Sequence, residues 1–240
     1  GHLISASLLT APAAILMSKL LVPESGQPET LGRTVSVHYQ RESSLIEAII
    51  NGAMAGVKLV VGIVALLVAF LGLIALIDLL LAPLGEGCQW LLNALGGATG
   101  WWADVDLQWS LGRLLGYVFW PLAVAIGTPP AEAMEVARLL GVRAVATEIP
   151  AYQGLAAAMQ DGAIGPRSAM VAAYALCGFA HVASLAIFVG GIAALVPQRR
   201  RDLAAVGPRA LLAAILACLM TGAVAGVFYH DPAMVLTAGR

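Results

Sequence analysis

Charge is what this sequence has least of. Lys, Arg, Asp and Glu make up 11% of its 240 residues, where soluble domains carry roughly 25%. The 13 basic and 14 acidic side chains leave a net charge of -1, which excludes electrostatic attraction to nucleic acid. Cysteine is scarce too. Cys88, Cys177 and Cys218 stand far apart, two of them in apolar runs where a thiol behaves as a small hydrophobe. They predict no disulfide framework, and no metal motif or cofactor site is expected. The opening residues lack a basic stretch and a small-residue cleavage signature, so no signal peptide is expected. Gly1 in place of an initiator methionine predicts that the sequence continues upstream.

What is present in excess is hydrocarbon. The chain is 60% hydrophobic with a mean hydropathy of +0.88, which predicts an all-α, multi-pass integral membrane protein. A bilayer core takes about 20 apolar residues in a helix, and four segments qualify: residues 3–22, 59–81, 169–196 and 203–229. They would make residues 1–230 one membrane domain, followed by a short tail at 231–240. Lys19, Lys58 and Arg209 lie towards span ends, where long basic side chains snorkel to the headgroups.

Arg199, Arg200, Arg201 and Arg209 mark the loop after the third span as cytoplasmic, and Lys58, Arg41 and Arg33 should share that side. The stretch 82–106 would then lie outside; it holds Glu86, Asp104 and Asp106 and no Lys or Arg. An even number of crossings must separate residue 81 from residue 169. Within 130–159, Glu132, Glu135, Arg138, Arg143 and Glu148 would each oppose insertion by about 2.5–3.5 kcal/mol near a helix centre. A re-entrant hairpin costs less, with arms 130–144 and 150–159 and a tip at 145–149. Residues 107–127, with Trp109, Arg113, Tyr117 and Trp120, suit a helix in the outer interface. Two full crossings here would preserve the same parity. Residues 45–56 read as a short amphipathic surface helix. Gly52/Gly56, Gly112/Gly116 and Gly222/Gly226 have small-xxx-small spacing, read first as helix packing within one subunit.

The chemistry concentrates in residues 174–191, YALCGFAHVASLAIFVGG, where Gly178, His181 and Ser184 fall three apart and would share a helical face. Glu148 at the hairpin tip and His181 are the ionisable groups expected well inside the hydrocarbon zone, and such groups mark functional sites. A carboxylate, an imidazole and a hydroxyl around a midplane cavity suit a neutral polyol such as a sugar. Plainer readings stand beside this one. Glu148 could pair with Arg143, His181 could bond the carbonyl one turn back, and Ser184 could bond the preceding turn. Tyr152 and Phe179 could line the cavity or pack in the core. Asp104 and Asp106 lack further metal ligands. An enzyme would use His181 as a general base towards Ser184 or Glu148, which their helical offset does not arrange; no enzyme is expected.

Five segments, in order, resemble the concentrative nucleoside transporter family. YALCGFAHVAS is similar to the family's YALCGFANFSS, ASLLTAPAAILMSKLLVPE to ASxMSAPAAxxxAKLLxPE, and NGAMAGVKL to NGAxDGxKL. GYVFWPLAVAIGTPPAEA resembles GYxFxPLAWLMGVPWxDA, and GVRAVATEIPAY resembles GxKTVLNEFVAY at the tip of the second hairpin. The likeness covers nearly the whole chain and the C-terminal portion of the family. It implies hairpins and broken helices enclosing a nucleoside, uptake driven by sodium or protons, a bacterial inner membrane and a homotrimer. Glu148 and Ser184 match ribose contacts, Phe179 matches the phenylalanine beside the site, and His181 takes the place of an asparagine that bonds ribose. A ring cannot both donate and accept with an amide's geometry, so this replacement implies altered hydroxyl recognition, and a titratable group besides. Thr147, Pro150, Ala183 and Ala55 also depart from the pattern. The nucleobase-reading hairpin and the coupling-ion site are implied to lie upstream. The alternative is a non-transporting nucleoside-binding or scaffolding member.

Overall fold

The computed structural model describes residues 1–27, 42–96 and 109–229, together with Gly32, and these are helical almost throughout, with no strand among them. Eight helices follow one another: α1 (His2–Leu21), α2 (Leu45–Gly96), α3 (Leu111–Ala125), α4 (Pro130–Val145), α5 (Glu148–Gln160), α6 (Pro166–Leu176), α7 (Val182–Leu195) and α8 (Arg200–Val227). Among the described residues, α1, α2 and α8 are long and apolar enough to cross a membrane. Arg33, Arg41, Asp104, Asp106 and the expected tail at 231–240 lie outside the described residues.

The helix over the second expected span differs most from expectation. At 52 residues, α2 is roughly 78 Å long at about 1.5 Å per residue, against about 30 Å of hydrocarbon. It absorbs both the surface helix expected at 45–56 and the first part of the loop expected from residue 82. A change from polar to apolar side chains does not end a helix, and no proline or cap stands near Gly56 to do so. Gly52 and Gly56 have open space around them, so this pair packs on nothing among the described residues.

The other two glycine pairs do join helices within the chain. A Cβ on Gly141 would sit 2.3 Å from the Gly112 carbonyl oxygen and 2.8 Å from the Gly116 nitrogen, so α4 lies backbone to backbone against α3. A Cβ on Gly222 of α8 would lie 2.8 Å from the Ala175 Cβ of α6. Within the stretch expected at the outer interface, α3 runs antiparallel along α4 and buries Gly112, Gly116, Phe119 and Ala123. Its start is held from two sides. The Ser110 hydroxyl accepts from the Arg113 N–H, and Asp78, on α2, accepts from the Leu111 N–H at 2.7 Å. Two of the donors that a helix start leaves open are thereby satisfied.

The hairpin expected at 130–159 is present as α4 and α5, joined through Ala146 and Thr147. The core lies where it meets α6, with Val136, Leu139, Leu140, Leu155, Val171 and Leu176 buried together. Cross-ties follow the same seam. The Gly165 N–H donates to Glu132 at 2.9 Å, and the Tyr152 hydroxyl donates to the Ala173 carbonyl at 2.8 Å. Arg167 donates to the Gly127 carbonyl at 2.6 Å. The span expected at 169–196 is two helices, α6 and α7, with residues 177–181 non-helical between them.

Candidate functional site

The break forms at Gly178, whose φ of +129° L side chains avoid. A Cβ there would also stand 2.8 Å from the Cys218 sulfur. Breaking a helix inside an apolar protein frees carbonyls that must find donors, and neighbouring elements supply them. The Cys218 thiol donates to the Cys177 carbonyl at 3.3 Å, and the Thr221 hydroxyl, whose proton goes to the Cys218 carbonyl at 2.7 Å, lies 3.3 Å from the Tyr174 carbonyl. From α4, Arg143 Nη1 donates to the Gly178 carbonyl at 3.4 Å.

His181 then starts α7. It is the N-cap, in extended backbone, and its ring Nδ1 accepts from the Ser184 N–H at 2.9 Å. In return the Ser184 hydroxyl accepts from the His181 N–H at 3.2 Å and donates to the His181 carbonyl at 2.6 Å. The three-residue spacing is thus a reciprocal capping box, and the expected one-face stripe of Gly178, His181 and Ser184 does not exist. His181 does not bond the carbonyl one turn back. With Nδ1 accepting, the hydrogen-bond network assigns the proton to Nε2.

Nε2 lies 3.3 Å from Glu148 Oε1. Glu148 is the first residue of α5, where the positive end of the helix favours a carboxylate. The contact is at ion-pair distance but out of hydrogen-bond alignment, so the buried Oε1 keeps its acceptor capacity. His181 and Ser184 are buried, while the Glu148 side chain is 22% exposed and open on one side. Glu148 and Arg143 form no direct ion pair.

Phe179 is 63% exposed, with its ring centroid 5.9 Å from that of His181 and 6.4 Å from Phe188, giving the site an aromatic rim. Of the predicted residues, Glu148 and Phe179 both lie against His181, the first at 3.3 Å between Oε1 and Nε2 and the second at 5.9 Å between ring centroids. Ser184 is adjacent, with its hydroxyl engaged in the capping box. Tyr152 packs against the core and ties α5 to α6. The arrangement offers a carboxylate oxygen with no hydrogen-bond donor among the described residues, a ring N–H and an apolar face. It has no activated nucleophile of the serine–histidine kind, because the Ser184 hydroxyl donates to a carbonyl and not to the ring. Sequence reasoning counted Arg143 as an insertion cost, whereas it is fully buried beside the break.

A family profile described as Na+ dependent nucleoside transporter C-terminus matches residues 2–226. The chain is 32% identical to human Solute carrier family 28 member 3, over 97% of its own length and 33% of that protein. It is 33% identical to the Bacillus subtilis transporter YutK over 95% of its length and 52% of the relative. Among solved structures it is similar to a doubly substituted variant of CNTnw in an outward-facing state, with a TM-score of 0.73, 32% identity, and coverage of 95% of this chain and 50% of that one. Its likeness to CNTnw in an inward-facing substrate-bound state has a TM-score of 0.65 at 31% identity, covering 95% of this chain and 50% of the other. The chain therefore spans from a third to about half of the relatives it matches. Its helical fold, its apolar spans and the match along nearly all its length make it a multi-pass membrane protein belonging to the sodium-dependent nucleoside transporter family, of which it carries the C-terminal part.

Proposed function

We propose that this chain supplies the ribose-binding half of an ion-coupled nucleoside importer of a bacterial inner membrane. The observation that carries the reading is the meeting of Glu148 Oε1 and His181 Nε2, 3.3 Å apart, between a hairpin tip and a helix break. Glu148 accepts from ribose hydroxyls, and His181 donates through Nε2. Phe179 covers an apolar face of the substrate, and Ser184 borders the ribose while its capping box fixes the ring. The hairpin and broken helix move together and expose the site to each side in turn, as transporter sites near discontinuous helices do. The coupling ion is sodium or a proton, bound by the upstream part, and the protein assembles as a homotrimer. That CNTnw is described in both outward-facing and inward-facing substrate-bound states supports alternating access as the mode of transport.

The test is uptake of radiolabelled uridine and adenosine by the full-length protein in proteoliposomes, with an inward sodium gradient, an inward proton gradient or neither. Uptake above control vesicles that depends on one gradient is expected. Nucleoside binding without uptake or counterflow would overturn transport and leave the non-transporting, nucleoside-binding reading.

A further inference from the structure

Arg143 is fully buried in the last turn of α4. A guanidinium does not lose its proton in proteins, so a whole positive charge is enclosed here. One of its nitrogens, Nη1, donates to the Gly178 carbonyl; Nε and Nη2 have no hydrogen-bond partner among the described residues. The negative end of α4 offsets part of the charge. A helix end contributes about 0.3–1 kcal/mol, up to about 2 when partly buried, against several kcal/mol for burying an ion. A carboxylate has to supply the rest. On the hairpin, Glu132 caps Gly165 and Glu135 pairs with Arg138, which leaves Glu148. The two charges sit on the complementary helix ends of one tip, with Arg143 at the carbonyl end of α4 and Glu148 at the N–H end of α5. Both reach the same break without pairing directly: Arg143 Nη1 donates to the Gly178 carbonyl, and Glu148 Oε1 lies 3.3 Å from Nε2 of His181, three residues further on.

We propose that Arg143 is a positioning residue whose fixed charge balances Glu148 across the hairpin tip and keeps it an ionised acceptor for substrate hydroxyls. The role of Glu148 as a ligand rests on the transport reading above; the electrostatic coupling of the two residues does not. The pair leaves the site neutral overall, so a neutral nucleoside enters without bringing a counter-ion of its own. Besides Arg143, the titratable groups facing Glu148 are His181 from the break, Tyr152 from α5 and Cys218 from α8. Of these groups, Arg143 alone is positively charged whatever the pH.

The experiment uses the full-length protein with Arg143→Lys, Arg143→Gln, Glu148→Gln and the double variant Arg143→Gln/Glu148→Gln. Uridine uptake is read as a function of pH, and thermal stability is measured in detergent. Arg143→Lys should keep the wild-type pH profile. Arg143→Gln keeps a polar amide but removes the charge. It should raise KM about tenfold, the cost of one lost charged contact, and move the acid-side loss of uptake to higher pH, because Glu148 then takes up its proton more readily. The double variant should be more stable than Arg143→Gln alone, since it leaves no carboxylate without its cation. An unmoved acid limb in Arg143→Gln, or strictly additive stability losses, would overturn the proposal. Unchanged uptake by Glu148→Gln with the stability coupling intact would instead remove Glu148 from the substrate site and leave the charge balance standing.

Discussion

Replacing Glu148 with glutamine is expected to cut uridine uptake by the full-length protein roughly a hundredfold at neutral pH, mainly through KM. The substitution keeps size and shape and removes the charge. A hydrogen bond to an ionised group is worth about 1.5–3 kcal/mol and one between neutral partners about 0.5–1.5. Losing that difference on two ribose hydroxyls comes to about 2.8 kcal/mol, or two factors of ten. The His181 ring adds to the penalty, because its protonated Nε2 lies only 3.3 Å from the position of Oε1. A glutamine must either turn its own NH2 towards that donor or give its oxygen to the ring and present only donors to the sugar. Thermal stability should fall as well, because the fully buried Arg143 loses its balancing carboxylate, so uptake is read per amount of folded protein. Radiolabelled uptake against concentration separates the cases. A KM equal to wild type would exclude Glu148 as a ligand.

Gly178→Ala should have the largest effect on stability, about 2–6 kcal/mol in the full-length protein. Two independent costs meet at this residue. A φ of +129° strains an L side chain by about 1–3 kcal/mol. The new Cβ would also approach the Cys218 sulfur to 2.8 Å, and overpacking of a well-filled interior costs about 1–3 kcal/mol more. The thiol has little freedom to withdraw, being buried and donating to the Cys177 carbonyl. Adding Cys218→Gly to Gly178→Ala should recover the packing share and leave the backbone share, so a partial rescue is expected in detergent thermal melts. Wild-type stability in Gly178→Ala would mean that the break does not depend on this backbone conformation.

The helical class, the hairpin and two of the three glycine contacts were legible in the sequence because each leaves a local mark. Apolar runs of spanning length are set off by charges, and the stretch at 130–159, with five charged residues set among its apolar ones, cannot cross cheaply. The break after Leu176 left almost no mark. Its residues are as apolar as their flanks, and Gly178 is one glycine among 26; only the likeness of YALCGFAHVAS to a family motif pointed to an interrupted helix. Spacing alone suggested a helical stripe for His181 and Ser184, because i and i+3 describe both a helix face and a capping box. The backbone conformation of His181 decides between them, and that depends on the break. Helix α2 was misread for the converse reason, since polarity changed where the backbone did not. The burial of Arg143 is a tertiary fact, set by how α4 lies against the break, and no local pattern carries it.

The account stands on Glu148 and His181 facing one chamber that receives the sugar. A structure of the full-length protein with uridine bound tests this most directly. The ribose hydroxyls are predicted within about 3.2 Å of both Glu148 Oε1 and His181 Nε2, with Phe179 against the ligand. Uridine bound elsewhere, with the two side chains still closed on each other, would contradict it.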